Sequence, residues 1–329
     1  MVLFLKDIYD IIQSSFLPPE RTRAKAAFAD IDAAVTFENA DAVIVGVPLD
    51  ITTSFGKGTL KGPESIRAAS AFQIETLIYD DRIDIKNVIS LFDIGDIIFP
   101  ETPTGLDNVQ YILKYLDENL VGLVSQISKS NKIPIILGGE HTVSYFCFKG
   151  IQNKGSMLIH FDAHRDLKSE YKGQKLCHTT PFFRLIDEGF LKGTDLIQIG
   201  IRQADELEEN YAESNGVITF DAWTVKNDLD DVIARLSKIT KDRKIYISFD
   251  IDVYDIQYVP CTGTPEPFGL DPFEIIKIIK GIDRSADLVG LDIVEVSLRN
   301  NDYREGTLAT HTLLRILDRE FVGTKRSRQ

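Results

Sequence analysis

Short apolar runs rich in β-branched residues recur along the chain, and helical patterns separate most of them. We assign eight of these runs as strands, at residues 41–48, 88–93, 133–137, 157–161, 196–200, 217–220, 244–249 and 288–294. Several are almost entirely apolar, which is typical of parallel strands that helices cover on both faces. The alternation therefore predicts an α/β fold, with a single three-layer α/β/α domain around a mainly parallel sheet of roughly eight strands.

Five longer segments have helical patterns, at residues 63–72, 107–127, 229–239, 273–282 and 307–319. One of them has a favourable start, because Asp271 can cap the helix, Pro272 suits its first position and Glu274 follows three residues after the cap. We find no linker, low-complexity tract or clear repeat. We therefore expect residues 1–329 to form one domain, with residues 1–38 as an N-terminal helical extension.

The composition is that of a large acidic globular protein. The chain has 329 residues, of which 43% are hydrophobic, and its formal net charge is −13. This length and apolar content can bury a large core. The negative charge argues against nucleic acid or an anionic membrane as partner and mildly favours a small cationic ligand.

The cysteines and the N-terminus favour a cytoplasmic protein. Cys147, Cys177 and Cys261 cannot all pair with one another and form no C-x-x-C unit, so we expect reduced thiols. No apolar stretch approaches the roughly 20 residues that a membrane span needs. The first residues lack the basic start of a signal peptide.

Carboxylate and imidazole side chains follow three of the predicted strands, at the point where each strand ends. They are His141, Asp162, His164, Asp166, Asp250 and Asp252. Ligands of open α/β sheets collect beyond the carboxyl ends of the strands, so we expect these clusters to meet. Because alternate residues of an extended chain share a face, Asp162, His164 and Asp166 can converge, as can Asp250 and Asp252.

This set of side chains predicts a site for two divalent metal ions. Four carboxylates and two imidazoles without a thiolate favour Mn²⁺, with Zn²⁺, Co²⁺, Ni²⁺ and Fe²⁺ as competitors. Coordination can lower the pKa of water from 15.7 to about 7, which would supply a nucleophile at neutral pH. His160 shares the face of Asp162 but lies deeper in its strand, so we expect it to hydrogen-bond behind the ligands rather than to bind metal.

The motifs in combination resemble those of the ureohydrolase (arginase/agmatinase) family. The resemblance covers most of the chain and is carried by residues 53–67, 138–141, 162–166, 248–252, 263–267 and 294–297. It implies an arginase-like fold, two Mn²⁺ ions per subunit and a homotrimer or homohexamer. The implied reaction is hydrolysis of a guanidino group to an amine and urea by attack of a metal-bridging hydroxide.

The resemblance also assigns roles to single residues. The six residues of the three clusters match the metal ligands of the family. His178 matches the loop histidine that passes a proton to the leaving amine, and Asp166 is a second candidate for that relay. Glu295 matches the acid that holds the guanidinium, in keeping with the preference of a planar cation for a bidentate carboxylate.

The substrate is the least determined part of the prediction. Arginases share an Asn where this chain has Lys168, which is a likeness to the agmatinase branch. Agmatine has no carboxylate and would suit a pocket with Glu170 nearby, whereas Lys168 would instead suit the carboxylate of a guanidino acid. We expect hydrolysis of agmatine to putrescine and urea. Guanidinobutyrase, arginase and formimidoylglutamase activities are the alternatives, and a non-catalytic metal-binding homologue is a remote one.

Three positions depart from the family pattern, and none is a metal ligand. Phe268 replaces a Gly, Ile256 replaces a Pro and Leu298 stands where a Pro is common. Of these, Phe268 has the clearest expected effect, since it lies close to the Gly-Thr-Pro-Glu-Pro motif and would narrow the substrate mouth or reshape its loop.

Overall fold

The structure, a computed structural model, describes residues 14–22, 25–30, 34–151 and 155–325. Its strands, in chain order, are β1 (Phe16–Leu17), β2 (Ala42–Val47), β3 (Leu77–Ile78), β4 (Ile83–Asp84), β5 (Leu91–Ile97), β6 (Ile133–Gly138), β7 (Met157–Phe161), β8 (Leu196–Ile199), β9 (Ile218–Phe220), β10 (Lys244–Asp250) and β11 (Asp287–Val294). Strands β3 and β4 form a small antiparallel hairpin, and the others form one nine-stranded sheet.

The α-helices lie between the strands and after the last of them. They are α1 (Gly62–Phe72), α2 (Asn108–Lys129), α3 (Thr142–Gly150), α4 (Pro181–Asp187), α5 (Glu206–Ser214), α6 (Ala222–Asn227), α7 (Leu229–Thr240), α8 (Pro272–Gly281) and α9 (Arg304–Lys325). Short 3-10 helices occupy Pro19–Arg21, Phe28–Asp30, Thr59–Lys61, Ile85–Asn87, Gly193–Asp195 and Ile251–Val253. None of the helices in the described ranges has the length and apolar content that a bilayer crossing requires.

The main sheet has the strand order β1-β5-β2-β6-β11-β10-β7-β8-β9. All neighbours are parallel except β1, which pairs antiparallel with β5 at one edge. Each of the eight predicted strands belongs to this sheet, so the predicted mainly parallel α/β fold is confirmed. The ninth strand, β1, has only two residues, which is too short to give a hydrophobic pattern.

Two apolar cores cover the two faces of the sheet. Alternate residues of each central strand point to opposite cores, as a doubly covered sheet requires. Ile135 and Leu137 of β6 belong to one core and Ile136 to the other. The first core includes residues of α1 and α6–α9, and the second includes residues of α2–α5. The result is the predicted three-layer arrangement.

The predicted start of α8 is confirmed, and the predicted N-terminal extension is only partly covered. Asp271 caps α8 and exchanges hydrogen bonds with Glu274, with Pro272 at the first helical position. Residues 1–13, 23–24 and 31–33 of the extension lie outside the described residues. The described residues 14–22 and 25–30 contain strand β1 and two 3-10 helices. Among them, only residues 14–15 are α-helical.

The strand order brings the carboxyl ends of β6, β11, β10 and β7 side by side. The three sequence clusters follow β6, β7 and β10. Because β11 lies between β6 and β10, the residue after it, Glu295, enters the same group. Asp250 is level with Val294, and Phe249 is level with Phe161, so the side chains that follow these strands reach similar heights.

Candidate metal centre and active site

His141 faces three carboxylates that belong to different sequence clusters. Its Nδ1 lies 3.1 Å from Oδ2 of Asp162, 3.0 Å from Oδ2 of Asp166 and 3.1 Å from Oδ2 of Asp250. The four side chains are almost completely buried. Spacings of about 3 Å between ligand atoms match those around an ion that holds each of them at roughly 2.0–2.2 Å.

The hydrogen bonds behind His141 decide which of its nitrogens carries the hydrogen. Nε2 lies 3.0 Å from Oγ of Ser248, and Ser248 gives its own hydrogen to Oδ1 of Asp292 at 2.8 Å. Ser248 therefore accepts from Nε2–H, so in the neutral ring, the form that binds metal, the lone pair lies on Nδ1. Among the described residues, buried Nδ1 has no hydrogen-bond partner. A lone pair that faces three carboxylate oxygens fits a bound cation, which the nitrogen and the three oxygens would coordinate together.

Asp292 anchors this arrangement from inside the sheet. Its Oδ1 also accepts from the hydroxyl of Ser144 at 3.0 Å, and its Oδ2 accepts from Tyr246 at 2.6 Å. The network joins β11, β10 and α3 below the centre and is fully buried. Partners that orient a histidine ligand in this way tune its affinity for metal.

His164 forms a second ligand group that adjoins the first. Its Nδ1 lies 3.0 Å from Oδ2 of Asp252 and 3.3 Å from Oδ1 of Asp162. One oxygen of Asp162 thus faces His141 and the other faces His164, and the three residues Asp162, His164 and Asp252 make a compact set of candidate metal ligands. The structure brings all six predicted ligands together in two groups that share Asp162.

His160 also lies close to the centre, where it donates a hydrogen bond to a ligand candidate. Its Nε2 lies 2.7 Å from Oδ2 of Asp162, and its Nδ1 accepts from the amide of Gln198 at 3.1 Å. The Gln198 orientation is fixed on its other side, because its carbonyl accepts from Arg165 at 2.8 Å. Although His160 could complete a ligand group with His141 and Asp162, its hydrogen bonds place it behind the ligands.

The carboxylates of the centre repel one another in a dry environment. Burial, followed by the charges of Asp252 and Asp162, raises the pKa of Asp250 well above its ordinary value. Burial raises the pKa of Asp166 to about 7, despite its contact with His141. Asp166 also has a left-handed backbone, with φ of +52°. Buried like charges of this kind are stable as anions only when cations offset them.

Glu295 lies beside the centre in a strained backbone conformation. Its φ is +58°, and its backbone N–H donates to the carbonyl of Gly139 at 2.9 Å. The side chain accepts from the backbone N–H of His141 at 2.8 Å, and burial raises its pKa well above the ordinary value. A non-glycine residue in the left-handed region costs about 1–3 kcal/mol, a strain that functional sites often contain.

His178 reaches the cavity from the loop before α4. It is buried among Thr52, Ser54 and the ring of Tyr171, whose centroid lies 6.0 Å from that of His178. Burial is the largest of the effects that lower the pKa of His178 to about 4. The ring is therefore neutral at pH 7, in contrast to a histidine in water, whose pKa of about 6.5 lies close to neutrality.

Lys168 and Glu170, the predicted residues for the far end of the substrate, have different positions. Nζ of Lys168 lies 2.8 Å from Oε2 of Glu208 and also forms an ion pair with Asp205. Both carboxylates and Lys168 line the cavity. Glu170 is exposed and does not line it, although the next residue, Tyr171, does. The acids nearest to Lys168 thus come from the start of α5 and not from its own segment.

Members of both ligand groups, together with Lys168, His178 and Glu295, line one cavity of about 340 Å³ that opens to solvent. Its lining comprises Ser54, His141, His164, Asp166, Lys168, Tyr171, His178, Thr179, Gln203, Ala204, Asp205, Glu208, Asp250, Thr264, Glu266 and Glu295. The lining includes members of both ligand groups and the three residues of the Lys168 ion pairs. A small molecule that fills the cavity would therefore meet both the metal ligands and the start of α5.

Comparison with known proteins identifies the family. The Arginase family pattern matches residues 40–317, which is most of the chain. The chain belongs to the arginase family. It is thus a ureohydrolase, as the motifs predicted.

The chain is similar to family members that differ in substrate. It is 34% identical over 265 residues to the agmatinase of Bacillus anthracis, covering 80% of this chain and 85% of the relative. It is 34% identical over 267 residues to the mitochondrial guanidino acid hydrolase of Homo sapiens, covering 79% and 72%. The crystal structure of agmatine ureohydrolase of Thermoplasma volcanium, at 30% identity, superposes with a TM-score of 0.78 over 90% of this chain and 95% of that one. That match confirms the arginase-like fold.

Several residues of this ureohydrolase site could not be found from the sequence motifs. Asp205 and Glu208 line the cavity from a segment that no motif included, and Glu266, which lies within the motif at residues 263–267, lines it without having been assigned a role. Arg202 is another: its guanidinium donates to the backbone carbonyls of Asp252 at 2.7 Å, Glu266 at 3.1 Å and Pro267 at 2.9 Å, among others. It joins the loop after β10 to the loop that carries Glu266. A partly buried arginine bound to backbone carbonyls has no local sequence signal.

The departures from the family pattern lie outside the cavity. Phe268 has a left-handed backbone, with φ of +65°, and its side chain is 70% exposed. It therefore keeps the backbone conformation that favours glycine instead of narrowing the cavity. Ile256 is 38% exposed and Leu298 is buried, and neither lines the cavity.

Proposed function

We propose that this ureohydrolase hydrolyses agmatine to putrescine and urea with two Mn²⁺ ions per subunit. The observation that carries the choice of substrate is the state of Lys168, whose ammonium group is already bound by Asp205 and Glu208. A carboxylate on the substrate would have to compete with both for Lys168. An ammonium group would instead meet two carboxylates that a single lysine does not neutralise.

The charges around the cavity support a dicationic substrate. Apart from the candidate metal ligands, the lining has four carboxylates and one lysine, namely Asp205, Glu208, Glu266, Glu295 and Lys168. A pair of unit charges 4 Å apart interacts by about 4 kcal/mol at an effective dielectric constant of 20. Solvent at the open end reduces this value, but its sign favours the guanidinium and ammonium groups of agmatine over a guanidino acid.

The two ligand groups fit two divalent ions. One ion would be held by His141, Asp166 and Asp250, the other by His164 and Asp252, with Asp162 between them. The excess of carboxylate over imidazole favours Mn²⁺ among the candidate metals. Bound there, the ions would supply a hydroxide at neutral pH and offset the negative charge of the aspartates.

The remaining residues would bind the substrate and move its protons. Glu295 offers a carboxylate beside the centre for the planar guanidinium, so that the guanidino carbon lies close to the nucleophile. His178 is neutral and lines the same cavity, so it can carry a proton to the departing amine. Asp166 stays a second candidate for this transfer.

Hydrolysis of a guanidino acid is the second candidate function. It is favoured by the presence of Lys168 in the cavity and by the similarity to the human guanidino acid hydrolase. Agmatine and 4-guanidinobutanoate are a matched pair, because they differ mainly in whether an ammonium or a carboxylate ends the carbon chain.

The experiment is urea release by Mn²⁺-loaded protein from agmatine, 4-guanidinobutanoate and arginine. We expect kcat/KM for agmatine to exceed that for 4-guanidinobutanoate by about 100-fold or more, which corresponds to about 2.7 kcal/mol. A higher kcat/KM for 4-guanidinobutanoate than for agmatine would favour the second candidate function, hydrolysis of a guanidino acid. If the protein released urea from none of the three compounds, the proposed hydrolysis of these guanidino substrates would be wrong.

Assembly and location stay predictions. We propose a homotrimer or homohexamer in the cytoplasm, without nucleic acid or membrane partners. Sedimentation of the metal-loaded protein would test the first part, since a monomer of 37.0 kDa is easily distinguished from a trimer.

A further inference from the structure

The loop before α1 is tied to the metal centre by the carboxylate of Glu140. This side chain is fully buried. Its Oε2 accepts from the backbone N–H groups of Ile51 at 2.7 Å, Thr52 at 2.7 Å and Thr53 at 3.2 Å. Its Oε1 accepts from the hydroxyls of Thr52 at 2.6 Å and Thr142 at 3.0 Å. Glu140 has no part in the proposed reaction, yet five donors converge on it.

Thr52 connects this carboxylate to His178. Oγ1 of Thr52 lies 3.0 Å from the backbone nitrogen of His178 and 3.3 Å from its Nδ1. At the other side of the ring, Nε2 lies 3.2 Å from Oγ of Ser54, which also lines the cavity. One hydroxyl therefore contacts both the backbone and the side chain of the residue that would move the proton.

A count of hydrogens decides which ring nitrogen of His178 is protonated. A threonine hydroxyl has one hydrogen to donate and two lone pairs to accept with. Thr52 donates its hydrogen to Glu140, so toward His178 it can only accept, from the backbone N–H and from Nδ1–H. Nε2 of the neutral ring then holds the lone pair, and Ser54 donates to it.

We propose that Thr52 is a positioning residue for His178, which holds Nδ1 in its N–H form through the link to Glu140 and leaves Nε2 to accept and return the proton. The inference rests on the proposed hydrolysis of a guanidino group. Catalytic triads use a carboxylate on Nδ1–H for the same purpose, to fix the tautomer and to stabilise the cationic ring. Here a hydroxyl stands between the carboxylate and the ring.

The proton balance of the reaction gives Nε2 one defined task. Hydrolysis of a guanidinium ion by one water yields urea and an alkylammonium ion, so both water hydrogens end on the amine. Nε2 accepts one of them and returns it to the amine nitrogen while the C–N bond breaks and its electron pair stays on that nitrogen. Nδ1 keeps its hydrogen throughout, and the Thr52 hydroxyl keeps its bond to Glu140.

A pair of substitutions isolates the hydroxyl. Thr52→Val has nearly the same shape without the hydroxyl, and Thr52→Ser retains it. We expect Thr52→Val to lower kcat by about 10- to 100-fold, which is part of the roughly 10²- to 10⁴-fold that a positioned proton-transfer group contributes, with little change in KM. We expect Thr52→Ser to stay within about threefold of the native enzyme. Thr53→Val is the control for damage to the loop, because its hydroxyl bonds Asp50 and not Glu140.

A double-mutant cycle separates positioning from scaffolding. The titratable or charged groups nearest to His178 include Lys57, His141 and His164, so a pH profile alone would not report on Thr52. In a His178→Asn background, the loss from Thr52→Val should vanish, since the residue that it positions is absent. A loss that persists there, or a Thr52→Val enzyme with native kcat, would overturn the inference.

The tautomer itself can be observed without turnover. In metal-free protein labelled with ¹⁵N-histidine, the ring signals that disappear in His178→Asn belong to His178. They should show Nδ1–H in the native protein and in Thr52→Ser, but not in Thr52→Val. Nε2–H in the native protein would refute the inference even if urea is released. Lack of urea release with the expected tautomer would instead refute the proposed function.

Discussion

Two conservative substitutions at the start of α5 would test the proposed substrate by changing the charge at that part of the cavity. Asp205→Asn and Glu208→Gln remove two negative charges but keep the helix start. Asn caps a helix as well as Asp does, and Gln can take the place of Glu at the third helical position. Glu208 also accepts from the backbone N–H of Leu167 at 3.1 Å, and a glutamine oxygen can do the same.

The contacts of Lys168 give the size of the effect. Glu208 is buried and lies 2.8 Å from Nζ, a charged hydrogen bond of the kind that contributes about 1.5–3 kcal/mol. Asp205 is 48% exposed, so we assign it only about 0.5 kcal/mol. The double variant should lose about 2 kcal/mol of transition-state binding for agmatine. The released Lys168 should gain about 1 kcal/mol for 4-guanidinobutanoate, so the ratio of the two kcat/KM values falls about 100-fold.

The assay is urea release from each substrate by Mn²⁺-loaded native and variant proteins at equal ionic strength. Glu206→Gln is the matched control, because it removes a negative charge from the same helix turn at an exposed position outside the cavity. It should leave the ratio within about twofold. A double variant with an unchanged ratio would refute the reasoning that Asp205 and Glu208 set the sign of the charge that the cavity accepts.

Three further predictions concern the metal centre and its surroundings. Asp292→Asn should weaken Mn²⁺ binding by about 10-fold or more in titration calorimetry, since Asp292 orients His141 through Ser248; native affinity would contradict that role. In metal-free protein the pKa of Asp166 is about 7 in the folded state and about 3.9 in the unfolded state. The contribution of Asp166 to stability is therefore present below pH 4 and is lost as pH rises through 7. The Tm measured in chelator should therefore fall between pH 5 and 8, and Mn²⁺ should raise it most at pH 8, whereas a Tm that rises in chelator would be inconsistent with this. Phe268→Gly should leave KM for agmatine unchanged and raise the free energy of unfolding in urea by up to about 1 kcal/mol, because relief of about 1–2 kcal/mol of left-handed strain exceeds the entropy cost of glycine; a clear loss of stability would show that the exposed ring has a packing role.

The sequence predicted the parts of the fold that depend on local pattern. Nearly continuous apolar runs of four to eight residues identified all eight parallel strands, because strands covered on both faces need apolar residues on both sides. The carboxyl-end rule then placed the six ligand candidates at one edge of the sheet without knowledge of the strand order. The two-residue strand β1 was missed because it has no pattern to read.

The rest of the site depends on contacts between distant segments. Thr52 meets Glu140 and His178 across 88 and 126 residues, and a threonine in a loop has no signal of its own. Asp205 and Glu208 read as an ordinary capping box, which they also form. Only their pairing with Lys168 reveals a second role, and Glu170, chosen for its nearness in sequence, is exposed.

The distribution of charge explains why the ligands lie at strand ends and not within a flexible loop. Asp162, Asp250, Glu140 and Glu295 are buried together, and each would be costly as an unpaired anion. Adjacent strands fix the separation of these side chains, so metal binding would not also have to order the backbone. Arg202 adds to this rigidity, because its guanidinium donates hydrogen bonds to backbone carbonyls of two loops. These hydrogen bonds go to carbonyl groups and not to the carboxylates of the centre. The mutual repulsion of these carboxylates is therefore built into the site, and the metal ions that we propose would offset it.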